Sequence, residues 1–268
     1  MVRSNRRRII IAGTRPKKSK KAFRGTKAQA PLVNLINRVI GRHLETKYVA
    51  EQINLGGYTI SGSINPTADA HSMLPQLVQT AGASVSNTRI GDKVTPTRAT
   101  ISGHIWYDNL DTVVGNVIYV KLFFLTVKPL KHFPNILTDA PDGMFESGLA
   151  DPVNWAAAGQ ELQSFYPICK ENYTLLKSKT FKLAKNGGLP IGNQPGHDTN
   201  IGKDRYTFSY SWKPPALKYS KDADTYASNY APVMYAVAYS PGYNYTTDAS
   251  LVGQARMSWQ VTMSYKDA

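Results

Sequence analysis

Beyond residue 45 the hydrophobic positions of this chain recur at every second residue, and no helical pattern there runs longer than a turn or two. Near the end, Met257, Trp259, Val261, Met263 and Tyr265 oppose Ser258, Gln260, Thr262, Ser264 and Lys266. Tyr206, Phe208, Tyr210 and Trp212 alternate in the same way with Arg205, Thr207, Ser209 and Ser211. Successive side chains of a strand point to opposite faces, so both segments predict strands with one buried and one wet face. Ala99, Ile101, Gly103, Ile105 and Tyr107 repeat the pattern, and Val233, Tyr235, Val237 and Tyr239 share one face. Val117 to Val127 is apolar on both faces except at Lys121, which predicts a central strand covered on both sides. Tyr58 to Ile64 and the half-polar Tyr173 to Leu183 complete a set of about eight strands.

Three connections are long, spanning 66–88, 129–164 and 184–204, and long loops in a domain usually have a task. Eight strands with unequal connections predict an all-β fold, a single jelly-roll β-sandwich over residues 45–268. One segment departs from the two-residue period. Following Pro31, the residues Leu32, Leu35, Ile36, Val39 and Ile40 recur at helical spacing, so 31–43 reads as a short amphipathic helix.

Charge divides the chain at the same place. Residues 1–44 carry thirteen basic residues and no carboxylate: Arg3, Arg6, Arg7, Arg8, Arg15, Lys17, Lys18, Lys20, Lys21, Arg24, Lys27, Arg38 and Arg42. The remaining nineteen Lys and Arg are matched by all eighteen Asp and Glu, so the net +14 resides almost wholly in the first 44 residues. A self-repelling segment with little to bury is expected to be a disordered basic arm that neutralises a polyanion. Thirty extended residues reach roughly 100 Å. With Phe23 as the one aromatic among residues 1–30, phosphate contact without base readout is the physical expectation for those thirteen side chains. Arg6, Arg7, Arg8, Lys17, Lys18, Lys20 and Lys21 also form clusters suited to nuclear localisation and host import factors.

Candidate chemistry is sparse. His43, His71, His104, His132 and His197 lie apart, so no metal site is expected, and Cys169 has no nucleophile signature around it. Asp139, Asp142 and Glu146 share a loop but not the spacing of a calcium-binding hairpin. The glycine-rich stretch Gly187 to Gly192 lacks the lysine and hydroxyl of a phosphate-binding loop. No enzyme and no cofactor are expected. A lone cysteine excludes an intrachain disulfide framework, and no apolar run is long enough to cross a bilayer or serve as a signal peptide.

Four features together carry a family resemblance: the arm of 1–30, the Glu-Thr-Lys-Tyr stretch from Glu45 to Tyr48, the Arg-Ile-Gly-Asp-Lys-Val segment from Arg89 to Val94 directly before the strand Thr97 to Tyr107, and the closing strand Ala255 to Tyr265. The chain resembles the jelly-roll capsid proteins of small circular single-stranded DNA viruses, the circovirus-like group, although the second half of its arm is richer in Lys than theirs. The resemblance implies an icosahedral homo-oligomer of sixty copies, found in the virion and, during assembly, in the host nucleus. It also implies a single-stranded DNA genome held by the arms inside the shell and long loops that make contacts between copies. Sixty such arms would supply roughly 780 charges against a genome of order 10³ phosphates. Two other readings fit parts of the pattern: a cellular, sequence-nonspecific nucleic-acid-binding protein with a β-barrel body, and a sugar-binding β-sandwich. Tyr226, Tyr230, Tyr243 and Tyr245 are candidate exposed interface residues.

Overall fold

The computed structural model describes residues 46–79, 87–107, 117–147, 152–155, 164–184, 204–221, 223–239 and 255–267. The strands are β1 (Thr46–Thr59), β2 (His71–Ser72), β3 (Val78–Gln79), β4 (Thr88–Arg89), β5 (Lys93–Tyr107), β6 (Val117–Val127), β7 (Tyr173–Ala184), β8 (Arg205–Trp212), β9 (Leu217–Lys218), β10 (Pro232–Tyr239) and β11 (Ala255–Asp267). A seven-residue helix, α1 (Phe133–Asp139), interrupts them. The fold is all-β, as the alternation predicts.

Two antiparallel sheets face each other. The first has the order β1-β11-β5-β8, with β9 also paired to β5, and the second has the order β2-β10-β6-β7. With β3, β4 and β9 set aside, the pairing is nested. First strand meets last (β1 with β11), second meets penultimate (β2 with β10), and β5–β8 and β6–β7 close the series. No helix among the described residues is long and apolar enough to cross a membrane.

The inward positions of both sheets make one core. Ile101, Ile105, Met257, Trp259 and Val261 of the first sheet meet Val120, Leu122, Phe124 and Met234 of the second. The second sheet is also buried on its outer face, where Phe123, Leu125, Val127, Val233, Tyr235 and Val237 lie beneath Phe133, Ile136, Met144, Phe145 and Trp155. Every residue of β10 is buried. The expectation for Val117–Val127 therefore holds, and its exception is resolved. Lys121 donates from Nζ to the carbonyl oxygen of Ser164 at 2.7 Å and lies over the Phe123 ring, and burial lowers its pKa.

This outer cover is the described part of the 129–164 connection, and its apolar side chains pack on the second sheet. Three buried tyrosine hydroxyls hold loops to strands by donating to carbonyl oxygens at 2.7 Å: Tyr173 to Pro141, Tyr235 to Pro66 and Tyr265 to Thr88. Tyr226 and Tyr230 depart from expectation. Both are half-buried, Tyr226 packs against Phe133 at 5.1 Å, and burial pushes the Tyr230 hydroxyl up to about 12. Tyr243 and Tyr245 lie outside the described residues.

The first strand also differs. Alternation points to Tyr58–Ile64, whereas β1 begins at Thr46 and ends at Thr59. Its pairing with β11 breaks between Ile53 and Tyr58, where Asn54 (φ 56°) and Gly57 (φ 88°) adopt left-handed backbone. Four residues of β1 there oppose Ser258 alone, and the three extra residues, an odd number, shift the period and hide the strand on their N-terminal side. In β5, Pro96 is accommodated at the register shift opposite Ser264 and Tyr265, where a missing N–H is tolerated.

The Arg-Ile-Gly-Asp-Lys-Val segment has a structural basis. Arg89 is fully buried and its guanidinium lies 4.2 Å from the centre of the Tyr219 ring. Nη1 donates to Gln79 Oε1 and Gly91 O, both at 2.9 Å, and Nη2 donates to Lys221 O at 2.8 Å and Asp224 O at 3.1 Å. One side chain thus gathers β3, the 89–92 turn and the 219–224 loop. Replacement by Met (Arg89→Met) would remove these donors from four partly buried acceptors and the stacking on Tyr219, and is expected to destabilise the protein by about 2–3 kcal/mol, read from urea unfolding midpoints.

His71 bridges the two sheets. It pairs with Met234 in the second, and its ring lies 4.7 Å from that of Trp259 in the first and 4.5 Å from that of Tyr58. Burial lowers its pKa from 6.5 to about 4, against a smaller opposing effect of Asp69. Below pH 6.5 the unfolded chain therefore takes up a proton that the folded chain refuses until about pH 4. Stability falls across that window, by about 3 kcal/mol at its acid end. His71→Phe should lose less stability between pH 7 and pH 4 than the parent does, measured by urea unfolding at both values.

Candidate functional site

With the central strands β6 and β10 of the second sheet covered on both faces, the outer face of the first is a broad strand surface open to water among the described residues. The period-2 pattern fixes what stands there, and the register sorts it into cross-strand rows. Centrally, Gln52, Gln260, Ser102 and Ser209 form one row, and Ser258, His104 and Thr207 the next. A third row holds Thr262, Thr100 and Ser211, in which the last two hydroxyls are 2.8 Å apart. Gln260 Nε2 reaches Ser102 Oγ at 3.5 Å. The middle of the face is a lattice of hydroxyls and amides.

Charge and aromatic rings sit at its two ends. At one end Tyr48, Ser264 and Arg98 share a row, next to that of Lys266. Tyr48 is 57% exposed, and Arg98 Nη2 donates to Ser211 Oγ at 3.1 Å. At the other end Arg256, Trp106 and Arg205 share a row. Gly57 crosses beside this Trp106: a Cβ there would lie 2.7 Å from its ring and 3.2 Å from Arg256 Cδ, so the bulge of β1 requires glycine for space as well as for φ. On the flank, Lys179 of β7 donates to Ser209 O at 3.3 Å, bringing another ammonium to the edge. No Asp or Glu occupies an outward position of β1, β5 or β8, or of β11 over Arg256–Lys266. Glu51, the one carboxylate of β1, turns inward and accepts from the backbone N–H of Gln76 at 2.8 Å.

A groove of about 540 Å³ runs through the centre, lined by Gln52, Ser102, His104, Thr207, Ser258 and Gln260 among others. Leu55, lifted by the β1 bulge and 80% exposed, stands at its side. Gly103 belongs to the opposite, inward set, between Trp259 and Phe208 in the same row. Such a surface offers hydrogen-bond donors, cations and two aromatic rings to an anionic, hydroxylated ligand.

The sequence-derived candidates fall elsewhere. Arg3, Arg6, Arg7, Arg8, Arg15, Lys17, Lys18, Lys20, Lys21, Arg24, Lys27, Arg38 and Arg42 all lie outside the described residues. No group of three potential metal ligands occurs among the described residues. Of the loop carboxylates, Glu146 accepts from the N–H of Lys170 at 3.2 Å and Asp139 from the Thr138 hydroxyl at 2.9 Å. Cys169 is buried. Sequence reasoning missed Tyr48, Arg98, Trp106, Arg205, Arg256 and Lys266 as a set. Their signal is the absence of carboxylates from the polar half of each alternating strand, which averaging charge over the whole body conceals. No family model matches the chain, and no curated protein matches it.

A Cβ at Gly103 would lie 2.8 Å from Trp259 Cβ and 2.9 Å from Phe208 Cε1, and would collide with the Ser258 carbonyl oxygen. Gly103→Ala should therefore force apart the strands beneath the groove and cost about 1–3 kcal/mol, read as a lowered midpoint in chemical denaturation.

Proposed function

We propose that the chain is a viral coat protein whose body is a single jelly roll and whose basic N-terminal arm packages single-stranded DNA. The nested pairing, first strand with last and second with penultimate, supports the jelly-roll assignment, because it is what a long hairpin folded over on itself produces. The observation that carries the function is the partition of charge. Thirteen cations and no carboxylate precede residue 45, on a body whose charges nearly cancel. The division of labour follows: the body builds a wall and the arm neutralises cargo. Identical copies closing a shell through repeated contacts would present many arms to one interior. The Arg6–Arg8 and Lys17–Lys21 clusters would serve nuclear import before assembly. No catalytic role is assigned.

A second reading has an observation in its favour. A cellular, sequence-nonspecific nucleic-acid-binding protein should carry a basic, aromatic face on its body, and the first sheet carries such a face at Tyr48, Arg98, Trp106 and Arg205. Electron microscopy of the purified protein separates the two: uniform closed particles favour the coat protein, and dispersed monomers overturn it. Deleting residues 2–30 should leave a folded, self-associating body whose particles hold little nucleic acid. Unchanged nucleic-acid content, from the absorbance ratio of purified particles, would refute the packaging role of the arm.

A further inference from the structure

We infer that the outer face of the first sheet is a second nucleic-acid-binding surface, which takes the backbone of a single strand across the groove and stacks bases at its two ends. This rests on the nucleic-acid reading above and extends it from the arm to the body. Three observations on the folded residues carry it. First, the cations of the face, Arg98, Arg205, Arg256 and Lys266, stand in rows without any Asp or Glu. A surface that repels no phosphate is selective for a polyanion even when the body as a whole is near neutral.

Second, each cationic end has an aromatic partner in its own cross-strand row: Tyr48 with Arg98, and Trp106 between Arg256 and Arg205. Aromatic rings beside guanidinium groups are the elements that hold unpaired bases without sequence preference. Arg98 and Trp106 are eight steps apart along β5, about 27 Å at about 3.4 Å per step, a length suited to a site of a few nucleotides. Third, the stretch between the ends is neutral and hydrogen-bonding. The hydroxyls of Ser102, Ser258 and Thr207 and the amides of Gln52 and Gln260 line the groove, which is matched to sugar and phosphate oxygens.

Covalent order reinforces the choice of ligand. The thirteen cations of residues 1–44 join the body at Thr46, the first residue of β1, at the Tyr48 end of this same face. A strand captured by the arm is therefore delivered to the face by chain connectivity, which raises the effective concentration for the second binding event. The groove has no acidic pocket for a neutral sugar, and its charge pattern sets it apart from the apolar cover of the second sheet.

The test uses the full-length chain, freed of nucleic acid, and a fluorescent oligothymidylate titrated over a range of salt. Arg98 and Arg205 are both exposed, so Arg98→Ala/Arg205→Ala should fold with an unchanged unfolding midpoint. It should bind about tenfold more weakly at low salt, and its log–log salt slope should fall by about 1.4, since each phosphate that a cation neutralises on a single strand adds about 0.7. The double Lys variant should restore the slope. Ultraviolet cross-linking should join the oligomer to peptides containing Tyr48 or Trp106. An unchanged slope with cross-links confined to residues 1–44 overturns this inference and leaves the packaging role of the arm intact. Unchanged oligomer binding with loss of particle formation also overturns it, and assigns the face to the interface between copies. Failure of the full-length chain to bind at all overturns both this inference and the nucleic-acid reading on which it rests.

Discussion

Burial of one sheet on both faces is the constraint from which the rest of this structure follows. β6 and β10 place large apolar side chains on each side, so the second sheet needs two partners. The first sheet supplies one. The segment carrying α1, Phe145 and Trp155 supplies the other, with Trp155 in ring contact with Phe123, Phe145 and Tyr239. Once the longest connection is committed to that cover, the first sheet has a single partner among the described residues, and its other face is open to water there. The wet face is thus a consequence of how the core is closed.

Long connections carry many backbone groups, and burying them requires specific partners. Many of the partners here are other loop backbone groups, and a few directional side chains complete the set. Three tyrosine hydroxyls and one guanidinium collect carbonyl oxygens from loops distant in sequence, with Tyr265 and Thr88 separated by 177 residues. Arg89 does more than any single tyrosine because its planar fork has several donors and a face that stacks on Tyr219. A shorter or less branched cation could not span the same set of acceptors.

The strands are legible in the sequence wherever the period is unbroken. β8 and β11 follow their alternation residue by residue, and β6 follows its double-sided apolar run, because each signal is local. β1 is not, since the insertion at Asn54–Gly57 shifts the phase between its halves. The cover of the second sheet is also invisible: Phe133, Met144 and Trp155 have no period, and only distant neighbours give them a role. At the candidate face, the Arg205 and Lys266 positions are readable as polar members of alternating strands. Which residues sit beside which depends on register, and register joins β1 to β11 and β5 to β8 across long separations that no local pattern encodes.

The nested pairing has a consequence in time. Thr46 lies opposite Lys266, about 220 residues later in the chain, and the strand between them in the first sheet, β11, is the last to be made. Pairings of such separation are entropically costly to close and dominate the folding time of β-proteins. During synthesis the basic segment emerges before the body, and β1, to which it is joined, has no partner among the described strands until β11 arrives to sit between β1 and β5. Completion of the first sheet therefore waits for β11, the last of the described strands to be made, and its outer face forms late in folding.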